Sequence, residues 1–317
     1  MSKLISQKLV TIIGANGFVG RQVVRELAKT GVRIRAAVRR PNEAILLRTM
    51  GDVGQIQLVQ ANIRDTASLN VAINGADAVV NLAGTITSGG KQTFRAVHEQ
   101  GAENVARLCA EQGVKQLVHM SALGADIRSA SKYSQSKIRG EKEVHDLFPG
   151  ATIVRPSVIF GPEDNFFSRF AMLAKVLPVL PLVGGGQTKF QPVDVDDVAD
   201  AIVAILAKPD SAGQTYEIGG PRVWTLEEVY TFVLKTTHRS RMLISLPFAM
   251  AKFASLFLQM LPGHILRPDQ VNMLREDNVV SDDAMTLADL GITPQPAETI
   301  MPKYLMRYRK AGAYERD

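Results

Sequence analysis

The sequence predicts an α/β protein: a doubly wound parallel sheet covered by helices, with a smaller, mainly helical C-terminal lobe. Three observations point to it. Short apolar runs alternate with helical patterns as far as Arg155. The first apolar run, Leu9–Ile13, enters a turn with glycines at 14, 17 and 20 before a helical pattern begins. After Phe160 the alternation gives way to Gly- and Pro-broken pieces. Repeated βα order calls for a parallel sheet with helices on both faces, because each crossover must lie on one face or the other.

In chain order, the expected strands are Leu9–Ile13, Arg33–Val38, Gln55–Gln60, Ala78–Leu82, Gln116–Met120 and Thr152–Arg155. Runs this short and this rich in Val, Ile and Leu suit strands buried on both faces. The intervening helices are expected over Phe18–Lys29, Glu43–Met50, Ala67–Ile73, Phe94–Glu111 and Ser131–Leu147. Gly161-Pro162, Pro178, Pro181 and Gly184-Gly185-Gly186 then punctuate the chain. A helix over Asp196–Leu206 and a strand over Thr215–Ile218 bring it back to the sheet. Residues 1–160 thus form a dinucleotide-binding domain, to which the chain returns at about 190–220. Residues 161–189 and 221–317 form the smaller lobe.

Composition narrows the classes. The chain has 317 residues, 46% hydrophobic and 21% charged, an ordinary globular balance. Its one cysteine, Cys109, excludes an internal disulfide framework and a cysteine zinc site. With Val105 and Leu108 it lies on an apolar helical face, which makes it a buried structural thiol. Met1–Lys8 is too short and polar for a signal peptide, and no uncharged stretch reaches membrane-spanning length. The net charge is +6. Apart from Arg33, Arg35, Arg39 and Arg40, and Lys303, Arg307, Arg309, Lys310 and Arg316, the cations are scattered. Without interleaved aromatics they read as solvated surface and not as a nucleic-acid groove.

The glycine-rich turn is an anion site. N–H groups at a helix N-terminus face outward, and the helix dipole favours a pyrophosphate. Gly14 permits the turn, Gly17 lets phosphates approach the backbone, and Gly20 lets helix and strand pack closely. Asn16, Phe18 and Val19 complete the loop. An acidic residue ending the second strand would hold a ribose 2′-hydroxyl, but this strand ends in Arg39 and Arg40. Two guanidiniums suit a 2′-phosphate, so NADP(H) is expected over NAD(H). Asn62 and Ile63 are placed to meet adenine, and Leu82, Ala83 and Gly84 are placed for the cofactor to pass. Tyr133 and Lys137, four apart on a helix, share one face. A nearby ammonium should lower the phenol pKa, which suits proton transfer beside a nicotinamide. His119 abuts a buried strand and reads as a core histidine. Asp194, Asp196 and Asp197 read as capping carboxylates at a helix start, with no metal expected.

These motifs together resemble the extended short-chain dehydrogenase/reductase superfamily, whose nucleotide domain is a Rossmann fold. The resemblance rests on Gly14-x-x-Gly17-x-x-Gly20, Asn81-Leu-Ala-Gly84, Tyr133-x-x-x-Lys137 and Arg155-Pro-Ser-Val-Ile-Phe-Gly-Pro162. Pro192-Val-Asp-Val-Asp-Asp-Val-Ala199 and Tyr216-Glu-Ile-Gly-Gly-Pro221 extend it, so that it spans roughly residues 8–221. It implies that Pro156 and Val158 pack at the nicotinamide end. Met50-Gly-Asp-Val-Gly-Gln55, His119-Met-Ser-Ala-Leu-Gly-Ala125, Ser131-Lys-Tyr133, Phe160-Gly-Pro-Glu-Asp164, Leu246-Pro-Phe248 and Asp289-Leu-Gly-Ile292 resemble one atypical branch. That branch is the nucleotide-binding accessory subunit of respiratory complex I and its bacterial relatives. The resemblance implies a tightly held, structural NADPH. It also implies partners in the peripheral arm of complex I, and a peripheral location on the cytoplasmic face of a bacterial inner membrane (the matrix side if mitochondrial).

Departures from the active pattern bear on chemistry. Ile13 stands in place of a threonine, and His98 where active members often carry an asparagine. Ala122 occupies the usual catalytic Ser/Thr position, with Ser121 one residue early. An oxyanion or carbonyl oxygen needs a positioned donor for efficient hydride transfer. Tyr133, Lys137 and Ser121 are therefore either a vestigial catalytic set that anchors cofactor or the working set of an NADP-dependent reductase, dehydratase or epimerase. Finally, Leu246–Leu261 carries one charge, Lys252. It is either lobe core or a docking patch for a partner or membrane interface.

Overall fold

The computed structural model describes residues 8–258, 267–310 and 312. Met1–Gln7, Gln259–Leu261 of the apolar stretch and Arg316 of the basic tail lie outside the described residues. The chain opens with β1 (Leu9–Ile13), α1 (Phe18–Ala28) and β2 (Arg33–Val38). The helix expected over Glu43–Met50 forms as a 3-10 helix, Pro41–Met50. Its buried side chains, Ala44 and Leu47, are three apart, and three residues per turn puts both on one edge.

Next come β3 (Ile56–Gln60), α2 (Thr66–Ile73) and β4 (Ala78–Asn81). Asp65 starts α2 by accepting the Ala67 N–H, which satisfies a donor the helix cannot. The long helix expected from Phe94 opens with a π-helical turn, Arg95–Glu99, before α3 (Gln100–Glu111). After β5 (Gln116–Met120), Ser131 caps α4 (Lys132–Leu147), accepting the Ser134 N–H at 3.3 Å. Then follow β6 (Thr152–Pro156), β7 (Ile159–Phe160), α5 (Phe167–Val176), β8 (Val179–Val183), β9 (Lys189–Phe190) and β10 (Val193–Asp194). The chain continues through α6 (Val195–Ala207), β11 (Thr215–Ile218), β12 (Trp224–Thr225) and α7 (Leu226–Thr236). It ends with β13 (Met242–Leu246), α8 (Phe248–Leu258), α9 (Pro268–Met273) and α10 (Ala297–Leu305).

Seven parallel strands form the central sheet in the order β11-β6-β5-β4-β1-β2-β3. The order reverses beside β1, so the crevice at the carboxyl ends of β1 and β4 is where this class of sheet takes a ligand. One face is covered by α1 and α6, through Val23, Leu27, Val198 and Ile202 against Val10 and Ile12. The other carries α2, α3 and α4, through Leu69, Ile73, Val105 and Val144 against Val79 and Leu117. Each fully buried Val, Leu or Ile contributes about 1.5–3 kcal/mol. Cys109 lies in this second core, fully buried, and burial pushes its thiol up to about 12.

The lobe has its own cores, around Phe160, Phe167, Trp224 and Tyr304 and around Leu180, Leu226 and Tyr230. β8 and β13 form a separate parallel pair. The described part of the apolar stretch, α8, divides between interior and surface. Ala251 and Ser255 face inward, whereas Met250 (60% exposed), Phe253 (65%), Leu256 (46%) and Phe257 (61%) face out. Phe248, at the start of α8, packs against the core of Val183, Ala251 and Val271, so the helix is part core and part surface.

Candidate functional site

The glycine loop has the geometry that pyrophosphate binding needs. Gly14 has φ +84°, in the left-handed region, and passes within 3.2 Å of the Leu82–Ala83 backbone measured from an added Cβ. At Gly20 an added Cβ would meet the Gly14 carbonyl oxygen at 2.3 Å and that of Ala15 at 2.7 Å. Hydrogen there is what seats α1 against the turn. Gly17 is different, because its added Cβ meets only the Gly14 oxygen, at 3.2 Å. It is exposed and starts α1 with no side-chain cap, so the first-turn N–H groups are left for an outside acceptor. Phe18 lies against Gly161, its ring 3.2 Å from where a Cβ would stand. Val19 is buried in the core, so only its backbone is available to a ligand. Asn16 reaches the Glu43 carbonyl at 3.4 Å.

At the adenosine end, Arg39 and Arg40 are both exposed beyond β2. Arg40 pairs with Glu43 at 2.9 Å. Asn62 uses its own side chain to accept the Arg64 N–H. Ile63 does not face the crevice. It is buried against α3, where Gly101 leaves room for it, so it too can offer only backbone. Leu82 is buried, Ala83 is partly covered, and Gly84 is exposed.

Around Tyr133 and Lys137 the site is dense. Lys137 Nζ donates to the Met120 carbonyl at 3.1 Å and lies 6.0 Å from the Tyr133 ring centroid. A Cβ at Gly84 would sit 3.6 Å from that nitrogen and 3.7 Å from His98 Nε2. The glycine keeps open the strip beside both groups. The expectation that Lys137 would pull the phenol down is corrected here: burial pushes Tyr133 up to about 12 and Lys137 down to about 8. Desolvation penalises both charged forms, and at Lys137 it outweighs the attraction of Glu141. The Ser121 hydroxyl is buried and finds no partner among the described residues, while its N–H bonds the Val154 carbonyl. Pro156 ends β6 beside Ile218, and Val158 packs into the lobe. An open glycine strip, outward N–H groups and a buried unpaired hydroxyl all fit an elongated polar ligand such as a dinucleotide.

Sequence reading noted His98 only as a substitution, but the structure makes it a clamp. Its Nε2 accepts the Thr85 N–H at 3.0 Å, so Nδ1 carries the proton and donates to Ser136 Oγ at 2.8 Å. Ser136 Oγ in turn donates to the Tyr133 carbonyl at 2.7 Å. Burial, with Lys137 close by, holds His98 neutral, with its pKa lowered to about 2. The π turn that carries His98 approaches α4 so closely that a Cβ at Gly140 would stand 2.0 Å from the His98 oxygen. His119 is a satisfied core histidine: Asn81 Nδ2 contacts its Nδ1 at 3.1 Å, and its pKa falls to about 3. The three aspartates stand at the start of α6, Asp196 and Asp197 in its first turn, where a carboxylate suits the helix dipole. The Asp194 carboxylate meets the Val195 and Asp196 N–H groups, Asp196 pairs with Arg25 at 2.8 Å, and Asp197 accepts the Gln295 N–H at 2.7 Å.

Residues 10–219 match the family described as NAD dependent epimerase/dehydratase. The chain belongs to this family. Its similarity to curated proteins runs further, into the lobe. It is 34% identical to "NADH dehydrogenase [ubiquinone] 1 alpha subcomplex subunit 9, mitochondrial" of Arabidopsis thaliana over 97% of this chain and 80% of that one. The mouse protein of the same name is also 34% identical, over 96% and 81%. Among solved structures, an NADPH-dependent quinone oxidoreductase of Escherichia coli complexed with NADPH superimposes with a TM-score of 0.74 at 23% identity. That match covers 93% of this chain and 99% of the other, and it supports the fold. The glycine loop follows β1 and Gly84 follows its sheet neighbour β4, with Lys137 Nζ 3.6 Å from where a Cβ at Gly84 would stand.

Proposed function

We propose that this chain is an NADP(H)-binding accessory subunit of respiratory complex I in which the cofactor is mainly structural. The observation that carries this is the end-to-end similarity to complex I subunits, which includes the lobe beyond residue 219. That lobe presents α8, and the exposed Phe253 and Phe257 give it a surface for a partner or the membrane interface. No described helix is long and apolar enough to cross a membrane, so attachment to the cytoplasmic face of a bacterial inner membrane would be peripheral. The partners are peripheral-arm subunits. Gly14, Asn16, Gly17, Phe18 and the Val19 backbone would hold the pyrophosphate, Asn62 and the Ile63 backbone would meet the adenine, and the cofactor would pass close to Leu82, Ala83 and Gly84. Arg39 and Arg40, with no carboxylate ending β2, favour NADP(H) over NAD(H). Tyr133 and Lys137 would bond the ribose next to the nicotinamide, whose own chemistry is hydride transfer. Pro156 and Val158 border that end.

The test is a native gel of gently solubilised membranes, with a dinucleotide assay on the isolated chain. Co-migration with complex I and bound NADP(H) are expected. A chain that runs alone in the soluble fraction would refute the assignment. The buried, unpaired Ser121 hydroxyl favours a second reading, an active NADP-dependent reductase, dehydratase or epimerase. It could be the donor that Ala122 lacks. Under that reading NADPH absorbance falls with a carbonyl or quinone substrate, and Tyr133→Phe abolishes the turnover. Under the first reading there is no steady turnover to lose.

A further inference from the structure

The segment from Arg267 to Asn278 crosses the carboxyl ends of the strands that carry the Tyr133 site. Arg267 donates to the Ser88 carbonyl at 3.2 Å, Asn272 to that of Ala130 at 2.9 Å, and Asn278 to that of Leu123 at 3.1 Å. Its densest contact is at the start of α4. Asp269 accepts from Ser131 Oγ at 3.0 Å, the Lys132 N–H at 2.7 Å and the Tyr133 N–H at 3.2 Å. The local cap, Ser131, meets only the Ser134 N–H, at the longer distance of 3.3 Å. A residue more than a hundred positions away in sequence thus takes up the first donors of the helix that carries Tyr133 and Lys137. A carboxylate at that end also suits the helix dipole.

We infer that Asp269 is a positioning residue for the nicotinamide-ribose end of the cofactor site, holding the first turn of α4 so that Tyr133 and Lys137 face the Gly84 strip. The inference rests on the reading that those two side chains bond that ribose. The helix start is braced from both sides: His98 and Ser136 hold the Tyr133 carbonyl from within, and Asp269 holds its N–H from the lobe. Among the described residues the hydrogen bonds of Asp269 go to Ser131, Lys132 and Tyr133 and none to the Gly14–Gly20 loop, so the two ends of the cofactor should respond differently to its loss.

The experiment compares wild type, Asp269→Ala, Asp269→Asn and the control Asn272→Ala, which removes a neighbouring tether that bonds neither Lys132 nor Tyr133. Calorimetry is run with NADPH and with 2′,5′-ADP, which fills only the adenosine end. In Asp269→Ala, NADPH should bind about tenfold more weakly while 2′,5′-ADP is unchanged. Asp269→Asn, which keeps one acceptor oxygen, should fall between, and Asn272→Ala should match wild type. Amide exchange in the ligand-free protein should speed up at Lys132 and Tyr133 in Asp269→Ala alone. If that variant does not fold, Asp269→Asn is judged by the same criteria. Equal weakening for both ligands, or no weakening in a folded variant, overturns the inference. Wild type that binds neither ligand defeats the cofactor reading itself and takes this inference with it.

Discussion

At Gly20 and Gly17 the same residue type does different work. A methyl at Gly20 would run into backbone oxygens that cannot move without shifting β1 or α1. Gly20→Ala should cost about 1–3 kcal/mol in urea unfolding. Gly17 faces outward, so Gly17→Ala should leave the ligand-free protein almost as stable while weakening NADPH in a titration. Equal losses of stability would contradict this. His98 offers a pH test. Its folded pKa is about 2 against an unfolded value near 6.5, so below about pH 6.5 the unfolded chain takes up a proton that the folded one refuses. Stability contributed at this site is therefore intact at neutral pH and lost as pH falls. His98→Gln should be less stable at about pH 7.5, but the gap should narrow by about 2 kcal/mol by about pH 5. Comparing each variant with wild type matters, because Asp194, raised to about 7 by burial and by Asp196 and Asp197, works in the opposite sense.

Among the elements, α8 and α4 show what helical patterning can and cannot convey. Spacing identified an apolar helix in α8 but not which way it faces, because its small residues are as apolar as its large ones. Packing against α9 and Val183 turns Ala251 inward with Phe248 beside it, and Phe253 and Phe257 are left outside. Phe253→Ser with Phe257→Ser should leave the melting temperature within about a degree, since little buried area is lost. The same pair should release the chain from membranes in a flotation assay. Strong unfolding instead would mean that the face is core. For α4, the Tyr133–Lys137 spacing was legible from a local rule. Its clamps were not: His98 and Asp269 reach it from the π turn and from α9, and no local pattern records a contact across such separations.

In the whole molecule, sheet and lobe are laced together. The chain leaves the central sheet after Pro156 and returns to it at β11, beside β6. Met285 then bridges Tyr216, and Asn278 bonds Ser157, Leu123 and Gln191. A division into two parts describes the order of elements, but many of the bonds cross between them. Calorimetry should therefore show one cooperative unfolding transition with matching van't Hoff and calorimetric enthalpies, not two. NADPH at about a hundred times its Kd should shift that whole transition, adding about 2.7 kcal/mol. Two separate melts, only one of them moved by NADPH, would show that the lacing carries little energy.

The sequence by itself determined the sheet, its glycine turn and the Tyr133–Lys137 face, because each is a short-range pattern: apolar runs, glycine at fixed offsets, side chains four apart. It also determined the arginines that end β2, since strand ends are read locally. Tertiary structure alone decided that Ile63 and Val19 turn into the core, that burial governs the Tyr133 and Lys137 protons, that α8 shows Phe253 and Phe257, and that Asp269 holds α4. Each of those depends on which distant surface packs against the residue. Desolvation, orientation and long-range hydrogen bonds are properties of the assembled interior, and no window of neighbouring residues contains them.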